Sequence, residues 1–226
     1  IDTSDSTQDN INTRISGSGT TVTLGSSNVL PDDEDLTVEN SATLELNSQT
    51  DTVRDVNLTA GTIQGGTITA TRNHNVKSGT VASNSALAGS AALVKTTSDT
   101  VTLAGTNTYT GDTTVTTGAL TVTGSIASSS NVTVNGGTLN LNNDDALKST
   151  ANVDVSSGSM NVNNDTTVGD FGARSGSTTT IASGKVLTIN PTTADKEVYG
   201  LAGSGEFKKT GSTRTILKGS HSFTGD

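Results

Sequence analysis

Cysteine and tryptophan are absent from this 226-residue chain, and it has two prolines. Aromatic residues make up 2% of it and hydrophobic residues 30%, against roughly 45–50% apolar residues in an ordinary globular domain. Each shortage excludes something. Without cysteine there is no disulfide framework, which fits a secreted or surface protein that does without one. With so few large apolar side chains, a spherical core of normal size cannot be filled. No apolar run approaches the ~18 residues that cross a bilayer as a helix, so no membrane insertion is expected. The opening segment, IDTSDSTQDN, shows no basic stretch followed by an apolar one. No export signal is therefore visible, and a mature or excised product is expected.

Two states are compatible with so little apolar content: disorder, or a fold with a thin core shared along its length. Disordered segments are rich in Pro, Glu and Lys and poor in β-branched residues. Here charged residues are only 15%, and Val, Ile and Thr recur in alternation, the pattern of half-buried strands. The net charge of −9 is unevenly placed. Residues 1–60 hold eleven Asp and Glu against two Arg, while residues 181–226 hold six basic residues against four acidic ones. Phosphates would meet net negative charge, so nucleic acid is not expected as a partner.

Residues 1–19 are polar, anchored only by Ile11 and Ile15, and read as an N-terminal arm, a cap, or a strand awaiting a partner. From 20 to 226 a unit of strand, small turn and strand recurs. It appears as LTV-ENSA-TLEL (36–46), VNL-TAG-TIQ (56–64), VTV-NGG-TLNL (132–141), VDV-SSG-SMNV (153–162) and TTI-ASG-KVLTI (179–189). The turn glycines Gly118, Gly137, Gly158 and Gly184 are separated by 19, 21 and 26 residues. Gly, Asn, Ser and Asp at the turns tolerate positive φ or bond their own backbone. The Ala-rich stretch ALAGSAALV (86–94) is the one candidate helix, and its glycine-containing counterpart further on argues against that. A period near 20 is the signature of a parallel β-helix. The expected fold is all-β: one continuous right-handed parallel β-helix (β-solenoid) with about 20 residues per coil. Coils ~4.8 Å apart would make a rod roughly 50 Å long. An antiparallel β-sandwich is the alternative, but it would not need the sequence to repeat.

One stretch occurs twice. LAGSAALVKTTSDTVTLAGTNTYTGD (87–112) and LAGSGEFKKTGSTRTILKGSHSFTGD (201–226) align without a gap and are identical at 12 of 26 positions. With its continuation, the first copy gives LAGTNTYTGDTTVTTGALTVTG (103–124), which resembles the passenger-associated repeat of bacterial autotransporters. That repeat has the form L-x-G-x-N-x-Y/F-S/T-G-x-T-x-V/I-x-x-G-x-L-x-V/I. Leu103, Gly105, Asn107, Tyr109, Gly111, Thr113, Val115, Gly118, Leu120 and Val122 match it in turn. The second copy matches through Leu217, Gly219, Phe223 and Gly225, and departs at His221, where the family prefers Asn. GLAGSGEFKKTGSTRTIL fits the family's lead-in. The resemblance covers about a third of the chain. It implies type V secretion, display on or release from a bacterial surface, and an extracellular location. The family's translocating barrel is not within these residues.

No catalytic set stands out, and an enzyme is not expected. His74 lies in the polar string TRNHN, and His221 falls on the turn position of Asn107. Ser175, in GARSGS, resembles a nucleophile loop but lacks a setting of His and Asp. Asp144, Asp145, Lys148 and Asp154 are the nearest carboxylate and basic residues to a polysaccharide-cleaving cluster. PDDED (31–35), NNDD (142–145) and NND (163–165) are loops of the type Ca²⁺ accepts, without EF-hand spacing. No cofactor and no metal are expected. Ice binding would need regular Thr-x-Thr ladders on a flat face, and TTVTT (113–117) and TITAT (67–71) lie at irregular spacing.

Two functions remain. In the first, the chain is a non-enzymatic adhesive or structural passenger, in attachment, aggregation or biofilm matrix, meeting surface glycans or other cells. In the second, it is a filament subunit. The sequence stops inside its own motif at FTGD, and TTVTLG (20–25) is similar to the TTVTTG (113–118) that follows the first copy. Thr20, Thr21, Val22, Thr23 and Leu24 of one copy would then complete the repeat that ends at Phe223, Thr224, Gly225 and Asp226 of the next. Such a head-to-tail contact does not close and gives fibres.

Overall fold

The computed structural model describes residues 12–225. Among the described residues there are 22 strands and no helix. Every strand pairing is parallel, which excludes the antiparallel sandwich. The chain winds as a β-solenoid with three faces, visited in the same order in each coil.

The first face can be followed through its inward positions. Ile15, Val38, Leu58, Val76, Lys95, Val115, Val134, Val155, Ala173, Val198 and Leu217 stack in register through eleven coils. Beside them run Leu36, Val56, His74, Leu93, Thr113, Val132, Val153 and Phe171, which succeed one another at intervals of 18 to 21 residues. The second face stacks Val22, Leu44, Ile63, Val81, Leu103, Val122, Leu141, Val162, Ile181, Gly203 and Phe223. The third face is less regular. It pairs Asp51, Ile68 and Leu87 near one end and Thr166, Leu187 and Phe207 near the other. Between these groups it is held by single backbone bonds such as Thr108 N–H to Leu87 O and Ile126 N–H to Ala146 O, each 2.8 Å.

The alternation in the sequence creates this arrangement directly. Successive strand residues point to opposite sides of the sheet, so Val-x-Val strings supply two inward columns per face. The coil above and the coil below satisfy the backbone groups, and few apolar side chains per coil suffice. One hydrophobic cluster runs unbroken from Ile15 to Leu201. Polar ladders reinforce the outside. Asn131 donates to Asp112 (2.8 Å) and Asn152 to Asn131 (3.0 Å), while Asn75 bonds Asn57 at 3.0 Å.

Three readings of the sequence can be placed on the fold, and one of them needs adjustment. Of the readings of residues 1–19, the described part takes the strand: Thr13–Ser16 pairs with Asp35–Glu39 in the first described coil. Ile11 and the rest of that segment up to residue 11 lie outside the described residues. The adjustment concerns the four turn glycines, which do not form one column. Gly118, Gly137 and Gly158 stack at the corner between the first and second faces, whereas Gly184 sits at the corner between the second and third. The unit 179–189 has the same strand–turn–strand pattern as 132–141 but occupies the next pair of faces. Finally, the Ala-rich ALAGSAALV forms the strands Ala86–Ala88 and Ala92–Lys95, as the glycines of its counterpart suggest.

Candidate functional site

The duplicated stretch is the first candidate. Its two copies fold alike and lie on different faces. Leu87 is on the third face, paired with Ile68, while the aligned Leu201 is on the second, paired with Thr179. The chain between them is thus one face short of a whole number of turns. Local bonds are nonetheless repeated. Thr110 N–H donates to Gly89 O at 2.8 Å, and Thr224 N–H to Gly203 O at 2.9 Å. The ammonium of Lys95 donates to the carbonyl of Thr97, and that of Lys209 to the carbonyl of Gly211. Asn107 Oδ1 accepts from Leu87 N–H, and His221 Nδ1 from Leu201 N–H. Leu103, Tyr109, Val115, Leu120 and Val122 are buried in the core, and Gly105, Gly111 and Gly118 approach the coil below too closely for a Cβ. Every matched position of the first copy is thus occupied by packing or backbone geometry.

The strings TTVTLG and TTVTTG do not take equivalent places. Thr21–Thr23 lies on the second face, paired with Thr43–Glu45, and Thr113–Val115 lies on the first. Leu24 is buried and Val22 half-buried. Of the far partner set, Phe223, Thr224 and Gly225 are described, and Asp226 lies outside the described residues.

A polar chain runs through the interior. Tyr109 Oη and Thr113 Oγ1 are 2.8 Å apart, Thr113 donates to Ser129 Oγ at 3.1 Å, and Ser129 donates to Gly111 O at 2.8 Å. The His74 ring meets the Tyr109 ring at 5.4 Å and bonds Ala88 O through Nε2 at 3.1 Å. Its Nδ1 has no partner. Burial pushes the Tyr109 phenol well up and His74 down to about 4. His74 is therefore a neutral core residue rather than the member of a polar loop that its sequence suggests. Lys95, also fully buried, stands in an apolar column and donates to Thr117 O at 3.1 Å.

The candidate chemical groups are not brought together. Ser175 lines an open groove of 410 Å³ on the first face with Asp154, Gly172, Arg174, Lys196 and Tyr199. Asp144, Asp145 and Lys148 line a separate depression of 420 Å³. The four residues considered for polysaccharide cleavage are thus divided between two places. The NNDD and NND loops are stitched to each other: Asp144 Oδ1 accepts from Asn164 Nδ2 and from Asp165 N–H, both at 3.1 Å. Among the described residues no group of three or more His, Asp or Glu converges as a metal site.

The faces differ most in charge. The ion pairs found among the described residues, Arg14–Glu39, Arg54–Asp35, Arg72–Asp35, Arg72–Asp55, Arg174–Asp154, Arg214–Asp195 and Lys218–Glu197, all lie on the first face or its margins. The second face carries a different surface. Its central outward column reads Thr21, Thr43, Thr62, Thr80, Thr102, Thr121, Asn140, Asn161, Thr180, Ala202 and Ser222. None of these threonines belongs to TTVTT (113–117) or TITAT (67–71), whose strands lie on the first and third faces. The intervals vary along the sequence because the turns vary in length, but the strands align in space. Thr121, Asn140 and Asn161 are linked by amide hydrogen bonds of 3.1 and 2.8 Å.

Compared with known proteins, the chain matches no family model, no curated protein and no solved structure.

Proposed function

We propose that this chain is a non-enzymatic adhesive and structural module of a bacterial surface or extracellular matrix, partnered by surface glycans or other cells. The observation that carries this reading is the unbroken register of the first and second faces over eleven coils. Side chains held at a fixed pitch on long open faces suit shallow, repeated contacts, in which many weak interactions act together. The resemblance of residues 87–124 and 201–226 to the passenger repeat supports the extracellular location. The test is to display the chain on cells that lack adhesins and to measure attachment and aggregation. Attachment no greater than that of cells carrying an unrelated displayed protein would sink the reading.

End-to-end stacking is the second reading. Leu217 occupies an inward position of the first face yet is 55% exposed, and Phe207 and Phe223 in the same coil are only partly buried. That coil presents an apolar surface on which another coil would stack, from more of the same chain or from a second copy. Sedimentation or electron microscopy over a range of protein concentrations separates the two. A monomer at every concentration and salt level would eliminate the filament.

A further inference from the structure

We propose that the threonine column of the second face binds ice. Thr21, Thr43, Thr62, Thr80, Thr102 and Thr121 stand one above another in six consecutive coils. Strands in a ladder are about 4.8 Å apart, which is within a few tenths of an ångström of the shorter repeat of hexagonal ice. Along a strand, the next outward residue lies about 6.7 Å away, less than an ångström short of the longer repeat. Thr21 and Thr23 form such a pair on one side of the column and Thr100 and Thr102 on the other, while the neighbours of Thr43 and Thr62 are Glu45 and Gln64, so the match rests on the single column.

Four further observations point to a water lattice as the occupant. The first is charge. A lattice of water molecules has no place for an ion, and the ion pairs of the described residues are confined to the first face and its margins. In the threonine columns Glu45 is the one charged side chain, and it is turned back onto Asn47 N–H and Gln64 Nε2, both at 2.8 Å. The second is availability. Among the described residues no hydrogen bond engages the hydroxyls of Thr43, Thr62, Thr80 and Thr102, so each is free to take a lattice position. Where the column changes to asparagine, Asn140 and Asn161 bond to Thr121 and to each other instead. The hydroxyl of Thr121 is taken by Asn140, so the binding segment is the run from Thr21 to Thr102.

The third observation is rigidity. Threonine is stiff at χ1, and a column of identical residues on a parallel ladder shares one backbone conformation. Little side-chain entropy remains to be lost on binding. The fourth is the absence of features that would suit another ligand. Sugar rings dock on aromatic faces, and the outward columns of the second face contain none, so the glycan contacts proposed above fall to the first face. Tyr109 and Phe171 are in the core, and Tyr199 lines the groove on the first face.

The test uses the full chain, with thermal hysteresis and partition into a slowly growing ice front as readouts. Thr80→Lys places a charge in the middle of the column, and Thr114→Lys places the same charge outward on the first face. Circular dichroism checks that both remain β-solenoids. The proposal expects the wild type to enter ice and arrest its growth, Thr80→Lys to lose most of both effects, and Thr114→Lys to retain them. Thr80→Val, which keeps the shape and removes the hydroxyl, is expected to weaken both effects and serves if the lysine variant does not fold. Exclusion of the wild type from ice would overturn the proposal, as would equal losses in the two lysine variants. Binding to cellulose or chitin without entry into ice, or dimerisation abolished by Thr80→Lys, would also overturn it by assigning the face to another occupant.

Discussion

Asn107 Oδ1 accepts the backbone N–H of Leu87 at 3.0 Å, across one turn of the solenoid. Its Nδ2 donates to the carbonyls of Gly105 and Ser125 at 3.0 and 3.2 Å. The third face is interrupted at this point, and the Asn107 amide replaces the missing strand partner. In the second copy His221 Nδ1 accepts the Leu201 N–H at 3.2 Å, but its Nε2 is buried without a partner. An orphaned buried donor costs about 1–3 kcal/mol. Asn107→Leu is therefore expected to destabilise by about 2 kcal/mol or more. His221→Asn is expected to be neutral or stabilising, since it removes the orphaned Nε2–H and supplies an amide that can donate as that of Asn107 does. Hydrogen exchange at the Leu87 and Leu201 amides is the suitable readout, because a solenoid can open locally without unfolding as a whole. Unchanged protection of Leu87 in Asn107→Leu would refute the assignment.

Acid stability gives a second prediction, centred on His74. Burial holds its pKa at about 4, below the ordinary 6.5, although the Ala88 carbonyl and the Asp55 charge act in the opposite direction. The folded protein thus binds this proton less tightly than the unfolded chain does. Unfolding takes up a proton between pH 6.5 and 4, so stability falls as the pH drops through that window. The full effect is about 3 kcal/mol. His74 stacks with Val56 and Leu93, so leucine fits its column. His74→Leu is expected to flatten the decline between pH 6.5 and 4 while leaving the stability at pH 7 little changed. Below pH 4 both proteins should lose stability together, as Asp55 is protonated and its bond to Arg72 is lost. Parallel curves for the two proteins from pH 7 to 4 would contradict this account.

The solenoid is legible in the sequence because two inward columns per face force strict alternation, as in NVTVNGGTLNL and NVDVSSGSMNV. Those two strands pair along their whole length with only local slips. The lateral arrangement is much less legible. Coils of 18 to 21 residues slide a fixed-period reading out of register within a few turns. The threonines of the second face therefore look scattered, although each stands on the last. A longer coil between Ala173 and Val198 hides the displacement of the second repeat by one face. Lys95 and His74 illustrate a different limit. Both occupy inward positions by alternation, but a polar residue there reads as a break in the pattern. The carbonyls of Thr97 and Thr117 surround the Lys95 ammonium only once the coils are stacked. Asn107 stands out by its motif, but its bond to Leu87 depends on which coil lies above which.

The corner glycines distinguish two causes of glycine dependence. Gly158 has φ of +79°, and a Cβ there would lie 2.2 Å from the carbonyl oxygen of Gly137 in the coil below. Gly184 has a similar φ of +70° with nothing within 4 Å of a Cβ. Alanine at either position meets the backbone penalty of the left-handed region, about 1–2 kcal/mol. At Gly158 the clash is added, and it falls on main chain that cannot swing aside. The coil must rise away from its neighbour, which lengthens the ladder bonds on both sides of the corner, including Ser159 with Thr138 and Val155 with Val134. Gly184→Ala is expected to cost about 1 kcal/mol and to leave neighbouring amides protected. Gly158→Ala is expected to cost at least twice as much and to raise exchange across residues 131–162. Equal costs for the two would mean that backbone conformation alone selects glycine at these corners, and that the close stacking of Gly118, Gly137 and Gly158 has no energetic consequence.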